Sequence, residues 1–219
     1  MGRWSAVERS LRAEGARLIA GVDEVGRGPL AGPVFACAVI MPPAARAIAG
    51  VEDSKKLSAA ARERLAAKIR EKAVCVALGA ASVREIAELN IYQATALAMR
   101  RALHRLRERP DAVLVDGKPI KTLGVAHRAF VGGDSRVYSI ACASIVAKVA
   151  RDRLMKSLAA RHPAYGWEAN SGYGTPRHIM ALREGGLTPH HRELFCRGIL
   201  QGGGGVQGLG RGEEWRNGG

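Results

Sequence analysis

The sequence is poor in aromatic residues and has no long apolar run, and both shortages narrow the possibilities. Phe, Trp and Tyr make up 5% of the 219 residues, so a core must be built mainly from Ala, Val, Leu and Ile. No apolar stretch approaches the roughly 20 residues that a membrane-spanning helix needs. The N-terminus, Met1-Gly-Arg-Trp-Ser-Ala6, lacks the apolar region of a signal peptide. We therefore expect a globular protein without membrane association.

Cysteine and acidic residues are also scarce. The four cysteines, Cys37, Cys75, Cys142 and Cys196, show no C-x-x-C spacing, which argues against a zinc site. Their small or apolar neighbours are typical of reduced, buried thiols, so we expect a reducing compartment, the cytoplasm. Asp and Glu number 20 against 34 Lys and Arg, a net charge of +14. This exceeds what solubility requires and indicates a polyanionic partner, nucleic acid first.

Apolar runs and turn residues predict one α/β domain with a short segment at each end. Strands are predicted over 17–22, 33–40, 73–80, 112–115 and 127–131. Helices are predicted after Ser58, over 82–109, from Gly132-Gly133 to about residue 161, and over 176–184. This order favours a mixed sheet flanked by helices. The predicted organisation is an N-terminal segment, 1–17, a domain, 18–201, and a disordered tail, 202–219, in which nine of eighteen residues are glycine.

Four acidic residues stand where strands end or glycine turns begin: Asp23, Glu24, Asp116 and Asp134. Sites in α/β sheets form at strand ends, and carboxylates without His or Cys partners are ligands for Mg²⁺ or Mn²⁺. Two such ions about 3.5–4 Å apart activate water and stabilise the leaving oxygen in phosphodiester hydrolysis. Taken singly, Asp134 could only cap a helix, Asp116 only form a turn, and Asp23 or Glu24 only be solvated. Their combination favours a metal-dependent site.

A run of motifs resembles type 2 ribonuclease H. The first is Gly21-Val-Asp-Glu-Val-Gly-Arg-Gly-Pro-Leu-Ala-Gly-Pro-Val34, and the others follow in the family's order: Asp53–Leu57, Val115–Gly117, Gly133-Asp134, Ala143–Asp152 and Gly172–Thr175. The resemblance covers roughly 18–200. It implies the ribonuclease H-like α/β fold, with a mixed central sheet flanked by helices and a helical C-terminal extension. It also implies that Asp23, Glu24, Asp116 and Asp134 are the catalytic, metal-binding acids.

The same resemblance assigns residues to substrate recognition. Gly26, Arg27 and Gly28 would contact the 2′-hydroxyl and phosphate of a ribonucleotide, since glycine lets the backbone approach and Arg offers a fork of donors. Tyr173 would stack on a sugar without a 2′-hydroxyl. For these residues a plain glycine turn and a Tyr packed on its loop are the alternatives. Further phosphate contacts are predicted for Lys55, Lys56 and Lys148, each of which could instead be merely solvated.

The implied activity is that of a monomeric, Mg²⁺- or Mn²⁺-dependent endonuclease with two ions. It would hydrolyse the RNA strand of RNA–DNA hybrids and cut 5′ of single ribonucleotides in duplex DNA, leaving 3′-hydroxyl and 5′-phosphate ends for ribonucleotide removal. One alternative is another nuclease of the same fold, either a junction resolvase or a type 3 ribonuclease H, which usually lacks the Gly-Arg-Gly element. The other is a non-catalytic nucleic-acid-binding module, in which the four acids would be superfluous.

Some polar residues are assigned no chemistry. Asp53 and Asp152 are interpreted as solvated or ion-paired, and the histidines 178, 190 and 191 as structural or surface groups, because they show no triad or zinc spacing. The sequence departs from the family at Asn170 and Ser171, where His-Lys often precedes the Gly-Tyr-Gly element. This departure removes positive charge and puts phosphate contacts by that loop in doubt.

Overall fold

The computed structural model describes residues 5–201. The tail predicted to be disordered, 202–219, lies outside the described residues, so that prediction and the division of the chain into segments stay predictions. Within 5–201, no helix is both long and apolar enough to span a bilayer.

A mixed sheet of five strands forms the centre of the fold, as the sequence predicts. Its order is β3-β2-β1-β4-β5. The strands are β1 (Ile19–Val25), β2 (Val34–Ile40), β3 (Cys75–Ala81), β4 (Ala112–Asp116) and β5 (Arg128–Phe130). β1 and β2 pair antiparallel, and β1 pairs parallel with β4. The ends of β1 and β4 therefore lie side by side.

Helices cover both faces of the sheet and extend beyond it at the C-terminus. They are α1 (Ala6–Ala13), α2 (Ala59–Lys72), α3 (Val83–His104), α4 (Gly133–Arg136), α5 (Tyr138–Arg161), α6 (Trp167–Asn170), α7 (Pro176–Gly185) and α8 (Glu193–Leu200). Met99 and other residues of α3 are buried in a core on one face, and α2 and α5 share a core on the other. The C-terminal helices pack around Trp167 and Met155, which confirms the helical extension.

Two glycines allow helices to lie directly on the sheet. A Cβ on Gly21 would stand 2.1 Å from the backbone carbon of Ser139, and a Cβ on Gly79 would stand 2.0 Å from the carbonyl oxygen of Ala98. Any side chain at these positions would push α5 or α3 away. The close packing agrees with the small residues that fill the start of α5.

Three predicted boundaries are wrong in detail. The helix predicted over 82–109 ends at His104 and is interrupted at Asn90 (φ 68°), whose Oδ1 accepts a hydrogen bond from Gln93 N at 3.1 Å and restarts the helix. The helix predicted to start at Gly132-Gly133 is divided into α4 and α5 by Val137, which has extended backbone. The N-terminal segment, for which no element is predicted, contains α1, and a capping box of Ser5 and Glu8 begins it.

Candidate active site

The parallel pairing of β1 and β4 brings the predicted acids to one edge of the sheet. Val22 pairs with Val115, so the following residues, Asp23 and Asp116, lie at the same level. Asp23 and Asp134 are buried, whereas Glu24 and Asp116 are partly exposed. This edge is the carboxyl end of both strands, where sites form in α/β proteins.

The turn before α4 connects two of the acids. Asp116 Oδ1 accepts a hydrogen bond of 2.6 Å from the backbone N–H of Gly133. A Cβ on Gly133 would lie 2.8 Å from Ile140 Cδ1 and 3.1 Å from Asp116 Oδ1, so only glycine lets the turn approach the end of β4 this closely. The next residue is Asp134, whose Oδ2 lies 3.4 Å from Lys55 Nζ.

Burial and neighbouring negative charges disfavour the charged forms of three of the acids. Burial raises the pKa of Asp23 well above its usual value, and the charges of Glu24 and Asp116 raise it further. Burial also raises the pKa of Glu24, against the opposing effect of Arg27, whose Nη1 lies 3.5 Å from Glu24 Oε1. The pKa of Asp116 is raised by burial and then by Asp134. A divalent cation would relieve this repulsion.

The donor chemistry at this edge fits a hard divalent cation. The four groups offer carboxylate oxygens, which Mg²⁺ and Mn²⁺ prefer. Within residues 5–201, however, no three His, Cys, Asp or Glu side chains converge closely enough to form a ready-made metal site. Asp134 instead lies 3.4 Å from Lys55 Nζ, and Glu24 lies 3.5 Å from Arg27 Nη1.

A cleft of about 390 Å³ is lined by three of the four acids together with most of the predicted substrate contacts. Its lining includes Asp23, Glu24, Gly26, Arg27, Gly28, Lys55, Asp116, Lys148 and Tyr173. Lys56 is exposed and does not line this cleft, and Asp134 reaches it through Lys55. The structure thus places the residues that are predicted to recognise the ribonucleotide directly beside the predicted catalytic acids.

Tyr173 lies against the Gly-Arg-Gly element. Its Cε1 is 3.5 Å from where a Cβ on Gly28 would stand. The residue lines the cleft and remains 48% exposed. This arrangement suits stacking on a substrate more than a Tyr packed into its own loop.

The two residues that depart from the family shape the loop before Tyr173. Asn170 Oδ1 accepts from Gly172 N at 2.8 Å, and its Nδ2 donates to Tyr165 O at 2.8 Å. Ser171 adopts a left-handed backbone (φ 49°) and donates to Asp152 Oδ1 at 3.0 Å. Asp152 also pairs with Lys148 at 2.7 Å, so it is ion-paired as expected.

Two serines in the cleft receive no role from the sequence. Ser54 and Ser144 line the cleft, and their hydroxyl oxygens lie 2.9 Å apart. A hydrogen bond from Ser144 partly offsets the raised pKa of Asp23. Both serines fall inside the family-like motifs, which is the one signal that marks them.

Comparisons with known proteins agree with the geometry. The family model described as Ribonuclease HII matches residues 20–198. A ribonuclease HII of Granulibacter bethesdensis is 54% identical over 198 residues, covering 89% of this chain and 90% of the relative. The solved ribonuclease H2 of Pyrococcus horikoshii OT3 superposes with a TM-score of 0.72 at 29% identity, covering 84% of this chain and 97% of that one.

A type 3 enzyme shares the fold at greater distance. The crystal structure of Bst-RNase HIII in complex with Mn²⁺ gives a TM-score of 0.65 at 20% identity, covering 87% of this chain and 67% of that one. At this identity the likeness shows the fold alone.

Proposed function

The chain belongs to the ribonuclease HII family, and from this premise we propose that it cuts duplex DNA on the 5′ side of a single embedded ribonucleotide and hydrolyses the RNA strand of RNA–DNA hybrids. The enzyme is an endoribonuclease of the ribonuclease H type. The products of the proposed reaction are a 3′-hydroxyl and a 5′-phosphate. Its role would be the removal of ribonucleotides from DNA, carried out by a monomer in the cytoplasm.

One observation supports single-ribonucleotide recognition above all others. Tyr173 lies beside Gly28, with its Cε1 3.5 Å from where a Cβ on Gly28 would stand, and both residues share a cleft with Asp23 and Asp116. A ribose held against Gly26 and Gly28 would be followed along the strand by a sugar facing the exposed ring of Tyr173. A 2′-hydroxyl on that second sugar would obstruct stacking, so the cleft suits a ribose followed by a deoxyribose.

The acids would hold the cofactor, which we propose to be Mg²⁺ or Mn²⁺, as two ions. Asp23, Glu24, Asp116 and Asp134 supply the carboxylates. When bound, such ions supply an activated water and stabilise charge on the leaving oxygen. Burial of Asp23 keeps the reacting phosphate in a setting where electrostatic stabilisation is stronger than in bulk water.

Basic side chains around the cleft would orient the phosphates. Arg27 is half exposed, and its planar fork of donors suits a phosphate next to the ribose. Lys55 and Lys148 line the cleft on other sides and would contact neighbouring phosphates. Lys56 lies outside and would contact only a longer stretch of duplex. Because the protein carries a net charge of +14, its affinity for the nucleic-acid substrate should fall steeply as the salt concentration rises.

A nuclease assay separates the proposed function from mere nucleic-acid binding. A labelled continuous RNA–DNA hybrid is incubated with the protein in Mg²⁺, in Mn²⁺, and in EDTA followed by excess metal. We expect cleavage of the RNA strand in either metal, none in EDTA, and full recovery when metal returns. Cleavage that persists in EDTA would contradict the metal assignment, and tight binding without cleavage would contradict the enzyme.

A further inference from the structure

The dipeptide His191-Arg192, between α7 and α8, supports the two elements that are proposed to recognise the substrate. These are the Gly-Arg-Gly element and the loop that carries Tyr173. Both residues are buried, with 4% and 2% of their surface exposed. Their backbone is fixed beside the loop that follows the Gly-Arg-Gly element: Arg192 N donates to Leu30 O at 2.8 Å, and Gly32 N donates to His190 O at 2.8 Å. The dipeptide therefore lies in a defined register against 30–32.

Arg192 binds the backbone of the Gly-Arg-Gly element directly. Its Nη1 donates to Arg27 O at 2.7 Å, its Nη2 donates to Gly26 O, and its Nε donates to Gly32 O at 2.9 Å. All these hydrogen-bond acceptors are neutral carbonyls. Burial lowers the pKa of this guanidinium to about 9, so enclosing it has a cost in free energy. The hydrogen bonds that Arg192 makes there fix the shape of the turn that carries Gly26 and Arg27.

His191 acts at the other element through His178. Trp167 Nε1, which can only donate, lies 3.2 Å from His178 Nε2. His178 must therefore carry its proton on Nδ1, which donates to Tyr173 O at 2.8 Å. His191 Nε2, 3.0 Å from His178 Nε2, must then be the donor of that pair.

The far side of His191 agrees with this assignment. Thr188 N donates to His191 Nδ1 at 2.9 Å, so that nitrogen is the acceptor. Burial lowers the pKa of both imidazoles, which keeps them neutral at physiological pH. A directed chain of hydrogen bonds thus runs from Thr188 N–H through His191 and His178 to the carbonyl of Tyr173.

We propose that His191 and Arg192 are positioning residues, Arg192 for Gly26 and Arg27 and His191 for Tyr173, and that His191 thereby determines selectivity for a ribose followed by a deoxyribose. The inference rests on the proposed function of the cleft. The dipeptide is connected to both recognition elements. His191 is connected to Tyr173 through His178, and Arg192 binds the Gly-Arg-Gly element directly. Neither residue lines the cleft.

The two residues should affect the two substrates differently. A continuous hybrid places a ribose at both sugar positions, so it makes little use of the Tyr173 ring. Loss of the chain to Tyr173 should therefore damage cutting at a lone ribonucleotide and spare the hybrid. Loss of Arg192 should damage both substrates, because each needs Gly26 and Arg27.

The test measures kcat/KM for two duplexes, one with a single ribonucleotide and one a continuous hybrid. His191→Asn keeps an acceptor for Thr188 but loses the donor to His178. We expect it to lower kcat/KM at the lone ribonucleotide by about tenfold, while the hybrid changes less than about threefold. His191→Gln, which restores an amide donor near Nε2, should recover most of this loss. Arg192→Lys, with no fork to span three carbonyls, should lower both by about tenfold.

A double mutant and a matched control exclude a general loss of stability. If His191 acts through Tyr173, then adding His191→Asn to Tyr173→Ala should change cutting of the lone ribonucleotide by less than about twofold. Met99→Ala removes a buried side chain from the far face of the sheet. It should lower the melting temperature but leave the ratio of the two kcat/KM values unchanged.

The outcomes separate the proposal from its premise. A wild-type protein that ignores the lone ribonucleotide overturns both. A wild type that cuts it, with a ratio unaffected by His191→Asn or a full further loss on the Tyr173→Ala background, overturns the positioning role alone. If His191→Asn does not fold, His178→Gln removes the Nδ1 donor to Tyr173 and gives the same readout.

Discussion

Asp116 accepts a 2.6 Å hydrogen bond from the backbone N–H of Gly133, and this contact ties the acid that ends β4 to the turn that carries the next acid. Asp134 follows Gly133 directly, so the position of one carboxylate sets the position of the other. Asp116 and Asp134, which come from β4 and α4, are thus held together by one backbone hydrogen bond.

Removing one negative charge from these acids should abolish most of the enzyme's activity and leave its fold intact. We expect Asp116→Asn to lower cleavage by at least about a hundredfold, because the amide supplies no charge to hold a divalent ion. Its Oδ1 can still accept from Gly133, and metal-free thermal stability should be unchanged or higher, since like charges repel here. The measurements are single-turnover cleavage and a thermal melt in EDTA. Glu63→Gln, an exposed change far from the cleft, is the control and should do neither.

The close approach at Gly133 predicts a second effect. A Cβ there would lie 2.8 Å from Ile140 Cδ1, so Gly133→Ala should lower the free energy of unfolding by about 1–3 kcal/mol and displace Asp134. The matched control is Gly198→Ala in α8, where an added Cβ meets nothing within 4 Å. That change should instead stabilise by about 0.5–1 kcal/mol through helix propensity. Urea denaturation of both variants decides the matter, and equal stabilities would contradict the geometry.

Glu8 supplies the cap that the start of α5 lacks. It is fully buried, and its carboxylate accepts from Ser139 N at 2.9 Å and from Tyr138 N at 3.3 Å. Glu8→Ala removes the acceptor of the Ser139 N–H and should lower the free energy of unfolding by about 2–3 kcal/mol. Glu8→Gln, which still offers one acceptor, should lose less. If Glu8→Ala melts like the wild type, α1 does not support α5.

Acid should weaken the fold through the buried histidines. Burial lowers the pKa of His191 to about 4, and His178 adds to the shift. The unfolded chain therefore binds more protons than the native chain between about pH 6.5 and pH 4, and this contribution to stability is lost as the pH falls through that range. The difference in melting temperature between wild type and His191→Gln should shrink from pH 7 to pH 4. A difference that stays constant would show that His191 is not buried and neutral; exposed His104→Gln is the control.

Much of the architecture could be predicted because it depends on local patterns. The apolar runs that become β1 and β4 are visible in the sequence, and so are Asp116 at the end of β4 and Asp23 and Glu24, although β1 continues through both to Val25. Ser5-x-x-Glu8 is a capping-box pattern, so the start of α1 is also marked in the sequence. The interruption at Asn90 depends on one side chain accepting from Gln93, and periodicity cannot show that.

Contacts between distant segments are the part that sequence patterns do not determine. Nothing in the spacing of residues places Tyr173 beside Gly28, and only the resemblance implied it. Buried arginines are equally hidden, since most arginines are exposed and nothing marks Arg192 as a residue that binds backbone carbonyls. Its partners are backbone carbonyls in the loop after β1, and only the folded chain brings that loop to the segment before α8.

The most direct test is end-labelled cleavage of one duplex carrying a single ribonucleotide, beside its all-DNA twin. The account predicts one cut, on the 5′ side of the ribonucleotide, with a 3′-hydroxyl on the DNA fragment and a 5′-phosphate on the ribonucleotide. The all-DNA twin should stay intact, because groups that bind the 2′-hydroxyl would be left unpaired. Tyr173→Ala should weaken this cut by about tenfold, within the about 1–3 kcal/mol of a stacked aromatic. Efficient cutting of a continuous hybrid with no cut at the lone ribonucleotide would contradict the account.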